Sequence, residues 1–187
     1  MKKNFLFISF FIFLIMSLPS TALALKAHVG ELSVVTAPDA LNVSFSVENA
    51  FPKQIEEAIK SGVPTSFNFI IEFTRIRGFW FDKSLGRWTF KHTVKYDTLK
   101  QEYEITLEEK SSLKIFTKDY EEMKRIMSSP DSVALLPAWG LPRNYKYELR
   151  IMAELRTIRL PFHLDYMFFF LRLWDIDTDW YSYKFTY

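Results

Sequence analysis

The chain has no cysteine in its 187 residues, which excludes a disulfide, a thiol nucleophile and a thiolate metal site. Glycine is scarce, with 5 residues in no cluster, so no Gly-rich loop is available to cradle phosphates. Histidine is scarcer still, at His28, His92 and His163, and no Gly-x-Ser-x-Gly elbow accompanies it. Three scattered histidines read as structural residues more readily than as the base of a hydrolase. A surplus of one charge sign is also missing. Residues 1–24 contain Lys2 and Lys3 and no acid, so the remaining 163 residues carry 22 basic and 22 acidic side chains. Without a net positive field or a basic run, nucleic acid is disfavoured as the main ligand. Acids suitable for glycoside chemistry are plentiful, but no pair is singled out. The expectation is a protein with no enzymatic activity and no cofactor.

What is present starts with an address. Lys2 and Lys3 precede an almost unbroken apolar run from Phe5 to Leu18; Pro19 and Ser20 end it, and Ala22-Leu23-Ala24 offers small residues at the two positions a signal peptidase reads. Residues 1–24 are therefore expected to be a cleavable signal peptide, with the mature chain starting at Leu25 in a periplasmic or cell-envelope compartment. The alternative is an uncleaved inner-membrane anchor, because Phe5 to Leu25 nearly reaches the length of a bilayer span. A second greasy stretch, Tyr166 to Trp174, is too short to span and contains Arg172.

Residues 25–187 read as one mainly β domain. Leu41, Val43, Phe45 and Val47 alternate with polar residues, as do Trp88, Phe90, His92, Val94 and Tyr96, then Tyr103, Ile105 and Leu107, and then Tyr145, Tyr147, Leu149, Ile151, Ala153 and Leu155. Period two with one polar face predicts antiparallel strands that cover a core on one side. Leu32–Thr36, Ser132–Leu136 and Tyr181–Tyr187 are shorter candidates. Pro52, Ile55, Ala58, Ile59 and a closing Gly62 predict one short helix; Phe116, Tyr120, Met123 and Met127 predict a second, from about Thr117 to Met127. The predicted architecture is two packed antiparallel sheets, sandwich-like, with two short helices in the connections.

A four-residue loop at Thr98–Gln101 sets one register: Tyr96 opposite Tyr103, Val94 opposite Ile105, His92 opposite Leu107, with Lys95 facing Glu104 and Lys91 facing Glu108. The preceding strand conflicts with itself. Phe67, Phe69, Ile71 and Phe73 place odd numbers in the core, yet Arg75 and Arg77 continue that series while Ile76 and Trp80 are even. A bulge near Thr74-Arg75 would put Ile76 and Trp80 in the core, pair Trp80 with Trp88, and project Arg75 and Arg77 together beside Lys91.

The chemistry-bearing candidates are few. Asp175-Ile176-Asp177-Thr178-Asp179 resembles the start of a calcium loop, but Trp180 and Thr186 stand where such a loop needs Gly and Glu, so the series reads as a solvated turn and no metal is expected. Phe79-Trp80-Phe81 is more unusual, since three consecutive aromatics on a strand cannot all face inward. With Arg75 and Arg77 beside them they have the composition of an interaction surface, for which an envelope or membrane protein is the expected partner. The opposing possibility is a hairpin buried on both sides. A further alternative places an apolar, lipid-like ligand between the sheets near Phe168–Trp174.

Gly62, Pro64, Phe67, Glu72, Arg75, Arg77, Trp80 and Asp82 follow one another as in a bacterial exported family, domain of unknown function 4390: a Gly-x-Pro turn, Phe, Glu, two arginines, a Trp patch and Asp. Tyr96, Leu99 and Tyr103 match its Tyr-x-x-Leu-x-x-x-Tyr spacing. Tyr147, Arg150, Leu160 and Pro161 match its long strand ending in Leu-Pro, and Asp179, Trp180 and Ser182 or Tyr183 approximate its tail. The chain thus resembles that family over nearly all of its mature length. One departure is Phe on both sides of Trp80 in place of further Trp. The resemblance implies no activity and no cofactor, and it motivates the expectation of an accessory role in envelope signalling.

Overall fold

The computed structural model describes residues 26–37, 39–137, 140–157 and 176–187. The expected signal segment, His163, Phe168–Trp174, Leu160, Pro161 and Asp175 lie outside the described residues. The strands are β1 (His28–Thr36), β2 (Leu41–Glu48), β3 (Thr65–Arg75), β4 (Lys83–Asp97), β5 (Glu102–Leu107), β6 (Leu113–Thr117), β7 (Val133–Ala134), β8 (Lys146–Thr157), β9 (Ile176–Asp177) and β10 (Tyr181–Thr186). The helices are α1 (Lys53–Lys60) and α2 (Tyr120–Ser128), with a 3-10 turn at Glu108–Lys110. A small sheet has the order β1-β2-β7; a large one has the order β10-β8-β3-β4-β5-β6, with β9 attached to β8. Every pairing is antiparallel. The fold is mainly β, two sheets and two short helices, as the alternation predicts.

The sheets share one core. Leu41, Val43, Phe45 and Val47 from β2 and Phe67, Phe69, Ile71 and Phe73 from β3 are all buried in it. Phe45 meets Phe69 edge-on at 5.5 Å between ring centroids, which joins the small sheet to the large one. Tyr147, Leu149, Ile151, Ala153 and Leu155 extend the same layer across β8. The helices close its rim. α1 buries Ile55, Ala58 and Ile59, and Gly62 follows at φ +82°, a left-handed stop that suits glycine. In α2 the Asp119 carboxylate caps the N–H groups of Glu121 and Glu122 at 2.8 and 3.2 Å, while Met123 and Met127 are buried.

The β4–β5 register is the expected one from His92–Leu107 to Asp97–Glu102. Lys95 faces Glu104 in it, as expected, but neither expected charge pair closes as an ion pair. Glu104 binds Lys114 of β6 at 2.6 Å rather than Lys95, and Glu108, turned aside by the 3-10 turn, accepts the backbone N–H of Lys91 at 3.0 Å. Phe116, placed on the second helix by its spacing, belongs instead to β6, whose Leu-Lys-Ile-Phe-Thr sequence has no alternation to announce it.

The expected bulge exists at the expected height, but on the other strand. Phe73 faces Gly86 and Thr74 faces Ser84, so the extra residue is Leu85 of β4. β3 runs unbroken against β8 as far as Arg75–Tyr147. The reason is topological. β3 is central, and an insertion there would break two ladders, whereas β4 pairs with β5 only from His92 onward and has a single neighbour at Leu85. Three expectations change with it. Arg75 stays on the odd, core-side face; Ile76 is only half-buried; and Trp88 faces Ile71, not Trp80. Lys91 faces Asn68, so it does not join Arg75 and Arg77 in a cluster.

Candidate interaction tip

The β3–β4 hairpin turns through residues 76–82, and backbone bonds define where the strand ends. The N–H of Ile76 still donates to the Lys146 carbonyl at 2.8 Å, one step beyond the last β3–β8 pair. From there the chain leaves the sheet, and the Asp82 carboxylate accepts the N–H of Arg77 at 2.8 Å, closing a short loop on itself. Gly78 meets nothing that a side chain would touch. Between these ends Phe79, Trp80 and Phe81 are 99%, 79% and 96% exposed. A hairpin buried on both sides is therefore not what forms. The loop curls around an open concavity of about 710 Å³ lined only by Arg77, Gly78, Phe79, Trp80, Phe81 and Asp82. Being lined by the loop alone, it does not have the form of a pocket enclosed by the fold.

Of the five residues singled out from the sequence, the structure brings Arg77, Phe79, Trp80 and Phe81 together in the loop and sets Arg75 at its base. The Arg75 guanidinium lies 4.9 Å from the Tyr145 ring centroid, and its Nε is buried without a hydrogen-bond partner. Sequence reading missed the neighbours that tertiary structure adds. Lys83 faces Arg75 across the hairpin, Lys146 opens β8, and Tyr145 ends the segment before it, which Tyr147 pins by donating its hydroxyl to the Pro142 carbonyl at 2.7 Å. Burial raises the Tyr147 phenol above its ordinary range despite the opposing charge of Arg75, so this donor keeps its proton. No sequence signal links 83 to 146. The linkage comes from β3 lying between β4 and β8.

The other candidate residues are occupied by structure. His92 is 1% exposed; its Nδ1 lies 3.1 Å from both the Ile126 and Met127 carbonyls, and its Nε2 lies 3.0 Å from Glu109 Oε1. Carbonyls only accept, so Nδ1 donates, and Nε2 is taken by the carboxylate. No ring nitrogen remains to receive a proton from a nucleophile. Burial tends to raise the Glu109 carboxyl, but the hydrogen bond and charge of His92 outweigh it and hold the group below its ordinary value. His28 is a half-exposed partner of Glu48 at 3.3 Å. In the aspartate series Asp179 is paired with Lys26 at 2.8 Å, and Thr178 is buried, exchanging two hydrogen bonds with the backbone of Ala153. Ile176 and Asp177 thus form a short strand paired with β8, which the expected turn did not include, and Thr178–Trp180 lead from it into β10 with Asp179 exposed. Among the described residues no group of three or more His, Asp or Glu side chains is placed to hold a metal, and no helix is long and apolar enough to cross a membrane.

The chain matches no curated protein and no solved structure. A family model does match, from residue 24 to residue 184, and so spans both sheets and the tip. The chain belongs to the family described as domain of unknown function DUF4390.

Proposed function

We propose that this protein is an exported, non-catalytic contact module of the bacterial cell envelope, with the 76–82 tip as its contact element and an accessory part in envelope signalling as its setting. The observation that supports the reading is the near-complete exposure of three consecutive aromatic rings on a loop closed by its own hydrogen bond. Leaving such rings in water has no benefit for folding, whereas covering them on contact returns about 1.5–3 kcal/mol each. The rigid sheet behind the loop holds the rings out at little entropic cost to binding.

Photo-crosslinking in living cells tests the reading. A photoreactive residue at position 80 is expected to give adducts with envelope components, while the same residue at position 99, also exposed but in the opposite turn of β4, gives none. Equal labelling at both positions would remove the tip as the contact element.

A further inference from the structure

The tip has a charge as well as a shape. Segments 75–83 and 141–147, which meet at this end of the large sheet, contain Arg75, Arg77, Lys83, Arg143 and Lys146 against a single acid, Asp82. None of the five cations forms an ion pair among the described residues. The acid is committed to the N–H of Arg77. The next acid along β8, Glu148, is taken by Lys184 at 3.6 Å. Residues 25–187, with 22 basic and 22 acidic side chains, therefore concentrate uncompensated positive charge behind the exposed Phe79, Trp80 and Phe81.

We infer that this tip docks on an anionic lipid surface, with Phe79, Trp80 and Phe81 entering the interface and the cations behind them meeting headgroup phosphates. The inference rests on the tip being the contact element and names what it contacts. Two features favour lipid over a protein partner. The rings are almost fully exposed on a loop whose open concavity is lined by the loop alone, with no rim from other elements, whereas a protein hot spot is seated in a patch whose surrounding contacts exclude water. The order of groups, aromatics outermost and Lys and Arg behind, follows the layering of a membrane interface, where aromatic rings sit at headgroup level and cations meet anionic lipid.

The absence of cysteine allows a direct test. Trp80→Cys and Leu99→Cys are expressed as the full chain, the exported forms are purified, and each is labelled with an environment-sensitive fluorophore. The two sites lie at opposite ends of β4, roughly 45 Å apart at about 3.3 Å per residue. With vesicles of phosphatidylglycerol and phosphatidylethanolamine, the label at 80 is expected to shift to the blue and to be quenched by doxyl-labelled lipid. The label at 99 should stay unchanged, and phosphatidylcholine vesicles should give a much smaller response. Adding Lys83→Glu and Lys146→Glu should weaken the response about tenfold or more, given the attraction each cation contributes near an anionic leaflet. Comparison of position 80 with position 99 within one chain makes the result independent of the state of the N-terminus. No quenching at 80, or equal quenching at 80 and 99, overturns the inference. A response to native envelope membranes but not to vesicles of their extracted lipids also overturns it, while leaving the tip as a protein contact. No response to either removes the tip reading as well.

Discussion

His92 Nε2 and Glu109 Oε1 form a hydrogen bond of 3.0 Å with 1% and 8% of their side chains exposed, one on β4 and the other in the 3-10 turn that follows β5. The imidazole also holds the last carbonyls of α2, so a single side chain joins strand, turn and helix. One oxygen of Glu109, Oε2, is buried without a partner, which makes this carboxylate depend on His92.

Removing one member strands the other. His92→Leu is expected to cost about 3–5 kcal/mol, since it leaves an unpaired carboxylate in the interior. The double variant His92→Leu, Glu109→Leu should be less destabilised than the sum of the single ones. Chemical denaturation of the four proteins in the cycle measures the difference; strict additivity would mean that the pair contributes no coupling.

The same pair sets an acid limit. Glu109 has a folded value below its ordinary 4.5, so its contribution to stability is fully present above that value and is lost as pH falls through the lower folded one. Acid titration followed by circular dichroism should show this loss below about pH 4.5 in the native protein. Glu109→Gln should flatten that limb of the curve.

At the tip, folding and binding should separate. Phe79→Ser, Trp80→Ser and Phe81→Ser are expected to leave stability within about 0.5 kcal/mol each, because the rings touch little. Phe69→Ala, in the shared core, should cost about 3–5 kcal/mol. Thermal melts would contradict this if the tip variants unfolded as readily as Phe69→Ala.

Tyr147→Phe removes one buried hydroxyl that holds the Pro142 carbonyl. A loss of about 1–2 kcal/mol is expected, from the bond and from the carbonyl left without it. Hydrogen exchange should rise in residues 141–146; unchanged exchange there would show that the loop is held by other contacts.

Export has its own measurement. The intact mass of the protein from the periplasm should correspond to a chain starting at Leu25. Full-length protein in the membrane fraction would identify residues 1–24 as an anchor.

Sequence alone determined the fold class, both helices, the hairpin register at Tyr96–Tyr103 and the unusual character of residues 79–81. Each of these rests on interactions between residues close in the chain: period-two alternation, caps and stops, and one loop length. Tertiary structure decided the rest. The bulge could be foreseen as a parity conflict, yet its place on β4 follows from β3 having two neighbours where β4 has one. His92 was legible as a core residue, but its partner Glu109 and the carbonyls of α2 come from elements that meet only when the sheet and helix pack. The gathering of Lys83 and Lys146 around Arg75 is likewise invisible to any local window, because residues some 60 positions apart become neighbours only through the β4-β3-β8 order. Periodicity specifies which face of a strand is buried, whereas the order of strands, fixed by the shared core, specifies which charges that burial brings together.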